Sequence, residues 1–162
     1  MSCTWPWRGA GLRFERVYAL DSNYMFTIVQ RVVNSGSADV VLHPYGLLAR
    51  RGTPQVSGFY ILHEGPLGVL QGSLKEINYQ DGACFIFCND YLKDKGPIPY
   101  ENSKGGWAGI TDKYWLAALV PDQEDTIQAR FFHRLVNGQD QYQVDYLGSA
   151  ATVAPGATYE ST

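Results

Sequence analysis

The sequence predicts an all-β fold, an antiparallel sandwich of two twisted sheets, and three observations predict it. Apolar residues recur with period two in short runs spaced about ten residues apart, the spacing of a many-stranded sandwich. Gly, Pro, Asn and Asp clusters divide these runs before any helical stripe longer than about two turns can develop. Aromatic residues make up 14% of the chain and charged residues only 18%, with 11 tyrosines, a composition that favours sheet and disfavours disorder. At 162 residues the chain is long enough to bury about 70% of its unfolded surface.

The first strand is expected at Leu12 to Leu20, where Leu12, Phe14, Tyr18 and Leu20 share one face and Arg13 and Glu15 begin the other. Asp21-Ser22-Asn23 supplies turn chemistry, so Tyr24 to Val33 follows as the second arm of a hairpin. After the turn at Asn34 to Asp39, Val40 to Leu48 reads as a third strand bent at Pro44 and Gly46. Gly58 to Leu62 has short-strand composition. Leu74 to Tyr79 and Ala83 to Cys88 read as a strand pair joined by Gln80-Asp81-Gly82. From Asn89 to Lys104 the periodicity disappears, which predicts an exposed excursion. Further strands are expected at Thr126 to Val136, Tyr142 to Leu147 and Ala151 to Val153, and Asn137-Gly138 is the strongest hairpin signal in the chain.

Between these lies the most informative stretch, Gly105 to Gln123. Tyr114, Leu116, Ala118 and Val120 alternate with Trp115, Ala117 and Leu119, so both faces are apolar, the pattern of a strand buried from two sides. Trp115 is accordingly expected in the core. Pro121 and Asp122 end the run, which is too short to span a bilayer as a helix.

Bulk properties exclude several classes. The formal net charge of −3 leaves no basic stripe for a phosphate backbone, so nucleic acid is not an expected partner. No run of 18 to 20 apolar residues occurs, and Met1 to Gly11 lacks the pattern of a signal peptide. Cys3, Cys84 and Cys88 form no metal-ligand spacing. On a strand, Cys84 and Cys88 would stand about 13 Å apart, beyond the roughly 7 Å Cα separation a disulfide allows.

The wording of the chain resembles a known family. GGWAGITDKYWLAALVPDQ (105–123), DSNYMF (21–26), HPYGL (43–47), RGTP (51–54), GFYILHEG (58–65), GVL (68–70), YQVDYLG (142–148) and VAPG (153–156) occur in the order they have in the large periplasmic domain of YidC-type membrane protein insertases of alphaproteobacteria. The resemblance spans roughly residues 12–156. It implies a supersandwich of the galactose-mutarotase-like type, with residues 12–162 a partial periplasmic β-sandwich domain behind an atypical segment, 1–11. It also implies a place on the periplasmic face of the bacterial inner membrane, as part of a multi-pass protein that assists insertion and folding of inner-membrane proteins. The domain would serve as a scaffold or as a contact module for Sec translocon components, and nascent inner-membrane proteins would be met through the full-length protein. Membrane association is expected only through helices absent from this chain, which is read as a fragment without the insertase groove, stopping at Glu160-Ser161-Thr162 before a final strand.

The implied fold raises a carbohydrate-active or carbohydrate-binding alternative, since aldose epimerases of that fold pair a histidine acid with a carboxylate base. The candidates are His43, His63, His133, Glu64 and Asp112. His63 and Glu64 are adjacent and would diverge on a strand, while His43 precedes a proline and His133 sits within a strand. Tyr45, Tyr60, Trp107 and Trp115 are candidates for an aromatic groove, and Arg50-Arg51-Gly52 for an anion-binding turn. Core packing or solvation explains each of these more simply. No catalytic, cofactor or metal-binding residue is therefore assigned, no partner-binding surface is specified, and the expected function is non-enzymatic.

Overall fold

The computed structural model describes residues 2–54, 63–79, 92–93 and 96–162, with the side chains of 2–6 left out. Fourteen strands and no helix occur among them. In chain order the first seven are β1 (Ser2–Gly9), β2 (Leu12–Leu20), β3 (Phe26–Asn34), β4 (Val40–Leu42), β5 (Tyr45–Arg51), β6 (Gly65–Leu70) and β7 (Ser73–Glu76). The rest are β8 (Ile98–Lys104), β9 (Trp107–Asp112), β10 (Trp115–Leu119), β11 (Thr126–Val136), β12 (Gln139–Leu147), β13 (Ala151–Val153) and β14 (Thr158–Ser161). All described pairings are antiparallel, as the predicted all-β sandwich class requires.

Two compact units divide the chain. The first, residues 1–44 and 149–162, contains the sheet β1-β2-β3-β14 and the two-stranded ladder β13-β4. Ala10 and Gly11, both at positive φ, make the two-residue turn between β1 and β2. The register sets Trp7, Phe14, Val32 and Tyr159 in one row across the sheet. The other face carries Glu15, Arg31 and Glu160 in the next row, where Arg31 bridges both carboxylates and Arg13 also pairs with Glu15 at 3.2 Å. Asn34, 1% exposed, ends β3: its Nδ2 donates to the carbonyls of Ala38 (2.8 Å) and Val153 (2.9 Å), and its Oδ1 accepts from the Gly36 amide (2.9 Å).

The second unit, Tyr45–Gly148, packs the sheet β5-β12-β11-β8 with the sheet β10-β9-β6-β7. Leu70 and Ile110 from one sheet meet Ile127, Phe131, Tyr142 and Val144 from the other in a single core. Tyr100 and Phe131 meet edge to face at 5.2 Å, as do Tyr79 and Tyr142 at 4.6 Å. Gly46 faces Tyr146 so closely that a Cβ there would lie 2.5 Å from the ring, which explains a glycine in mid-strand.

Several sequence expectations hold to the residue. Leu12–Leu20 and Ala151–Val153 are strands with the expected bounds, and Asn137 and Gly138, at φ 53° and 76°, close the β11–β12 hairpin. Others are corrected. Tyr114 to Val120 is not an interior strand: β10 is a sheet edge, and Tyr114, Trp115, Leu116 and Val120 are 85%, 49%, 53% and 61% exposed. The buried strand is its neighbour β9, where Ala108 and Ile110 are each 2% exposed. Val40 to Leu48 is broken at Pro44 into β4 and β5, which belong to different sheets. Ile98–Lys104, placed in the exposed excursion, is β8 with Tyr100 and Ser103 buried. Within Leu74 to Tyr79, the strand β7 pairs with β6. Ala83 to Cys88 and Gly58 to Leu62 lie outside the described residues, and β1, β6 and β14 occupy segments to which the sequence assigned no strand.

Urea denaturation separates core from edge. Phe131→Ala removes a side chain with no exposure and is expected to cost about 3–5 kcal/mol, whereas Trp115→Ala on the edge is expected to cost about 1 kcal/mol. Equal losses would return β10 to the interior. Asn34→Ala leaves two carbonyls and an amide without their partner and is expected to cost at least about 2 kcal/mol, read as a lower urea midpoint at unchanged slope.

Candidate functional site

Polar side chains in the second unit gather into three clusters. At one end of the sandwich, Arg50 on β5 reaches across the core to Asp112 on β9, with Nη2 2.7 Å from Oδ2 and Nε 3.1 Å from Oδ1. Tyr79 donates to Asp112 Oδ1 at 3.0 Å, and the Arg50 guanidinium lies 5.8 Å from the Tyr79 ring centre. Burial, then the adjacent Asp112 charge, pushes the Tyr79 phenol well above its ordinary value, so it stays a donor. Arg50 also donates to the carbonyls of Arg51 and Gly52. Its donors are thus spent within the protein, so Arg50, weighed in the sequence as part of an anion-binding or a solvated turn, is instead a sheet-to-sheet clamp.

His133 belongs to a second cluster. Its Nε2 lies 2.8 Å from Asp140 Oδ1, while Thr53 Oγ1 donates to Asp140 Oδ2 at 2.8 Å and stands 2.7 Å from the Tyr142 hydroxyl. Lys93 Nζ approaches the same carboxylate at 3.4 Å. A histidine, a carboxylate and a hydroxyl invite comparison with a nucleophile relay, but their order differs. The carboxylate stands in the middle, and the threonine proton points to Asp140 instead of to the imidazole, so His133 activates no nucleophile here. The cluster ties the β11–β12 hairpin to the segment after β5. Sequence reasoning missed Asp140, although the Asn137-Gly138 turn fixes a register that sets His133 one step diagonal to it.

The third cluster lies on the opposite face of β12 from the core. Arg130 grips Asp145 with two bonds, of 2.8 and 3.0 Å, and Tyr45 (3.0 Å) and the Gln143 amide (2.7 Å) donate to the same carboxylate. Burial first, then the bond to Asp145, raises the Tyr45 phenol above its ordinary value. Tyr45 is thereby a hydrogen-bonded strut, not a free stacking platform.

The remaining candidates do not converge. His43 is in the first unit, beside a concavity of about 460 Å³ whose walls include Trp7, Phe14, Val32 and Tyr159. His63 sits 3.2 Å from the Pro66 carbonyl, and Glu64, 6% exposed, keeps Oε2 buried without a hydrogen bond. Trp107 and Trp115 lie on adjacent strands, but Trp115 pairs with Asp112 and Trp107 with Val69. Tyr60, Cys84 and Cys88 lie outside the described residues, as does the side chain of Cys3. Among the described residues no cluster of three or more His, Cys, Asp or Glu side chains could hold a metal ion, and no helix is long and apolar enough to cross a membrane.

Acid titration tests the second cluster. The His133 contact, the Thr53 hydroxyl and Lys93 hold the Asp140 carboxyl below its ordinary value of 3.8. A depressed carboxyl contributes stability that is present above the unfolded value and lost as pH falls toward the folded one. Wild type is therefore expected to lose stability more steeply than Asp140→Asn below about pH 4, in urea midpoints measured across the acid range. Parallel curves would remove the carboxylate's role.

The architecture is that of a packed β domain whose described residues bring no acid and base into a shared cleft, and comparison with known proteins places it. The family model described as the YidC periplasmic domain matches residues 3–162. The chain is 42% identical over 150 residues to the membrane protein insertase YidC of Sinorhizobium fredii, covering 93% of the chain and 24% of that protein. It is 44% identical over 155 residues to that of Granulibacter bethesdensis, covering 95% and 26%, and 38% identical over 171 residues to that of Methylobacterium nodulans, covering 100% and 26%. The chain thus spans about a quarter of the length of these relatives, which are named as insertases and not as enzymes of carbohydrate chemistry. Across nearly its whole length, the chain belongs to the YidC periplasmic domain family.

Proposed function

We propose that this chain is the periplasmic part of a YidC-type membrane protein insertase, and that it works as a scaffold or as a contact module for Sec translocon components, without catalysis of its own. The observation that carries the reading is a match over residues 3–162 to a periplasmic domain family, together with named insertases among the relatives. The side chains support the non-enzymatic part. Each titratable cluster of the second unit is closed on itself: Arg50 on Asp112, His133 on Asp140, Arg130 on Asp145. Proton transfer needs an acid and a base that face a shared cleft, and these face one another instead. The full-length protein would meet nascent inner-membrane proteins through membrane-embedded segments, and this domain would stand on the periplasmic side of the inner membrane.

Two measurements test the reading. In a liposome assay with a single-span client, the chain alone is expected to give no insertion above empty vesicles, while the parent insertase inserts. Insertion by the chain alone would place client handling in the sandwich and overturn the scaffold role. In spheroplasts carrying the parent protein, externally added protease is expected to cut within this segment, and protection from it would refute the periplasmic location.

A further inference from the structure

The tip of the β2–β3 hairpin joins a run of exposed apolar side chains to a loop that bonds its own backbone. The Leu20–Phe26 pair closes a loop of Asp21 to Met25. Tyr24, Met25 and Phe26 are 82%, 62% and 67% exposed, and Ile28 one step back is 39% exposed. Consecutive side chains of an extended segment project in different directions, so an apolar group is offered on every side of the tip. A groove on a protein partner takes one face; a tip that is apolar all round suits a medium that surrounds it.

The loop backbone is also prepared for a poorly hydrated place. Asp21 Oδ1 accepts from the amides of Asn23 (2.7 Å) and Met25 (3.0 Å). The Tyr24 amide donates to the Asp21 carbonyl and the Asp21 amide to the Met25 carbonyl. Four loop N–H groups thus have acceptors inside the loop, which removes most of the penalty for taking them out of water. Asp21 carries the loop's one charge, which sets a limit on depth.

Farther up the hairpin the charge changes sign. Register pairs run from Leu20–Phe26 through Tyr18–Ile28 to Arg16–Gln30, so Arg16 lies four residues above the closing pair, about 13 Å along the strand. Arg16 is exposed and has no ion-pair partner among the described residues, whereas Arg13 and Arg31 are neutralised by Glu15 and Glu160. An apolar tip that enters the headgroup region by roughly 5–10 Å would bring an arginine at that height to the lipid phosphates.

We propose that the β2–β3 hairpin tip is a lipid-contact loop, with Tyr24, Met25 and Phe26 entering the interface of a phospholipid bilayer and Arg16 meeting its phosphates. The proposal rests on the insertase reading only for the nearness of a membrane. It adds a contact within this chain to the membrane association that the sequence led one to expect solely from helices outside it. The net charge of −3 does not oppose it, because the tip and Arg16 act locally.

The test uses the whole chain and extruded vesicles, of phosphatidylcholine alone and of phosphatidylcholine mixed with phosphatidylglycerol, read by co-sedimentation. Wild type is expected to bind both, and more tightly the anionic mixture. Replacing Tyr24 by Asn and Met25 and Phe26 by Ser is expected to lower partitioning at least about tenfold on either vesicle. The single variant Tyr24→Asn, whose new residue tolerates the left-handed backbone at φ 63°, is expected to weaken binding while keeping the wild-type circular dichroism. Arg16→Glu is expected to leave phosphatidylcholine binding intact and to remove about fivefold of the binding to the anionic mixture. Absence of vesicle binding by wild type, or binding indifferent to the tip variants, would overturn the proposal. So would tip-dependent capture of a soluble apolar peptide without vesicle binding, which would make the loop a protein contact. No insertion activity is read, so a negative result leaves the insertase reading standing, and failure of the insertion tests leaves this one interpretable.

Discussion

The first unit depends on a short ladder fixed by one buried amide. It is built from two separate stretches of chain, residues 1–44 and 149–162, which must be held together. They meet where β4 pairs with β13 over three residues, Val40 with Val153 through Leu42 with Ala151. Three residues of ladder are weak alone. Asn34 reinforces them: one side-chain amide bonds the Val153 carbonyl and the Ala38 carbonyl of the turn before β4, and the Asn34 backbone bonds residues 156 and 157 before β14. A hydrophobic residue at position 34 would keep the backbone bonds but leave the Ala38 and Val153 carbonyls without their donor, and an orphaned buried carbonyl costs more than a methyl gains.

Within the second unit, hydrophobic burial supplies the drive and buried charge supplies the register. Leu70, Leu92, Phe131, Tyr142 and Val144 have no exposure, enough to hold the sheets together without help from ions. The ion pairs at their margin contribute less net free energy, since desolvation offsets much of their attraction. What they exclude is slippage. A one-residue slip of β5 against β12 would turn Arg50 away from Asp112 and Tyr45 away from Asp145, leaving each carboxylate without one of its partners. Tyr45 from β5 and Arg130 from β11 converge on the single Asp145 carboxylate of β12, beside Gln143 of the same strand, and so fix both neighbouring offsets.

Local chemistry was legible in the sequence, while neighbour relations were not. Asn137-Gly138 declares its hairpin because both residues accept positive φ, and from that turn the whole β11–β12 register follows. Tyr114 to Val120 shows what is lost. Two-sided hydrophobicity says that a strand is apolar, not that others flank it, and among the described residues β10 has a partner on one side only. The place inside the sheet goes to β9, whose Gly109 lets the Ala117 carbonyl approach to where a Cβ would stand at 2.4 Å. Small residues make β9 look weak by composition and are the reason it fits. Similarly Ile98–Lys104, with two prolines and a glycine just before or within reach, reads as a loop, yet Ile98, Tyr100 and Ser103 pack inward beside β11. Pro44 was read as a bend and is a boundary, because a residue without an N–H cannot carry a ladder from one sheet into another. The side-chain clusters were legible only in part: Arg50, Asp112, His133 and Tyr45 were singled out for chemistry, but their partners Tyr79, Asp140 and Asp145 come from other segments of the chain and need the fold.

Tyr24 marks where local preference and use part company. A left-handed backbone favours glycine or asparagine, and an asparagine stands next door at position 23, yet the φ of 63° falls on a tyrosine. The loop is otherwise well made, with Asp21 receiving two amides as turn chemistry prescribes. Its neighbours Met25 and Phe26 add nothing to the turn and are exposed as well, although burying them against the sheet would be favourable. A sequence chosen only for folding would have placed Asn or Gly in the strained position and polar residues beside it. Local rule and global fold agree at the β11–β12 turn, where the left-handed positions fall on Asn137 and Gly138. Three consecutive departures at one exposed tip therefore point to selection for what the tip touches, and Arg16 up the same hairpin supplies the charge that such a contact would meet.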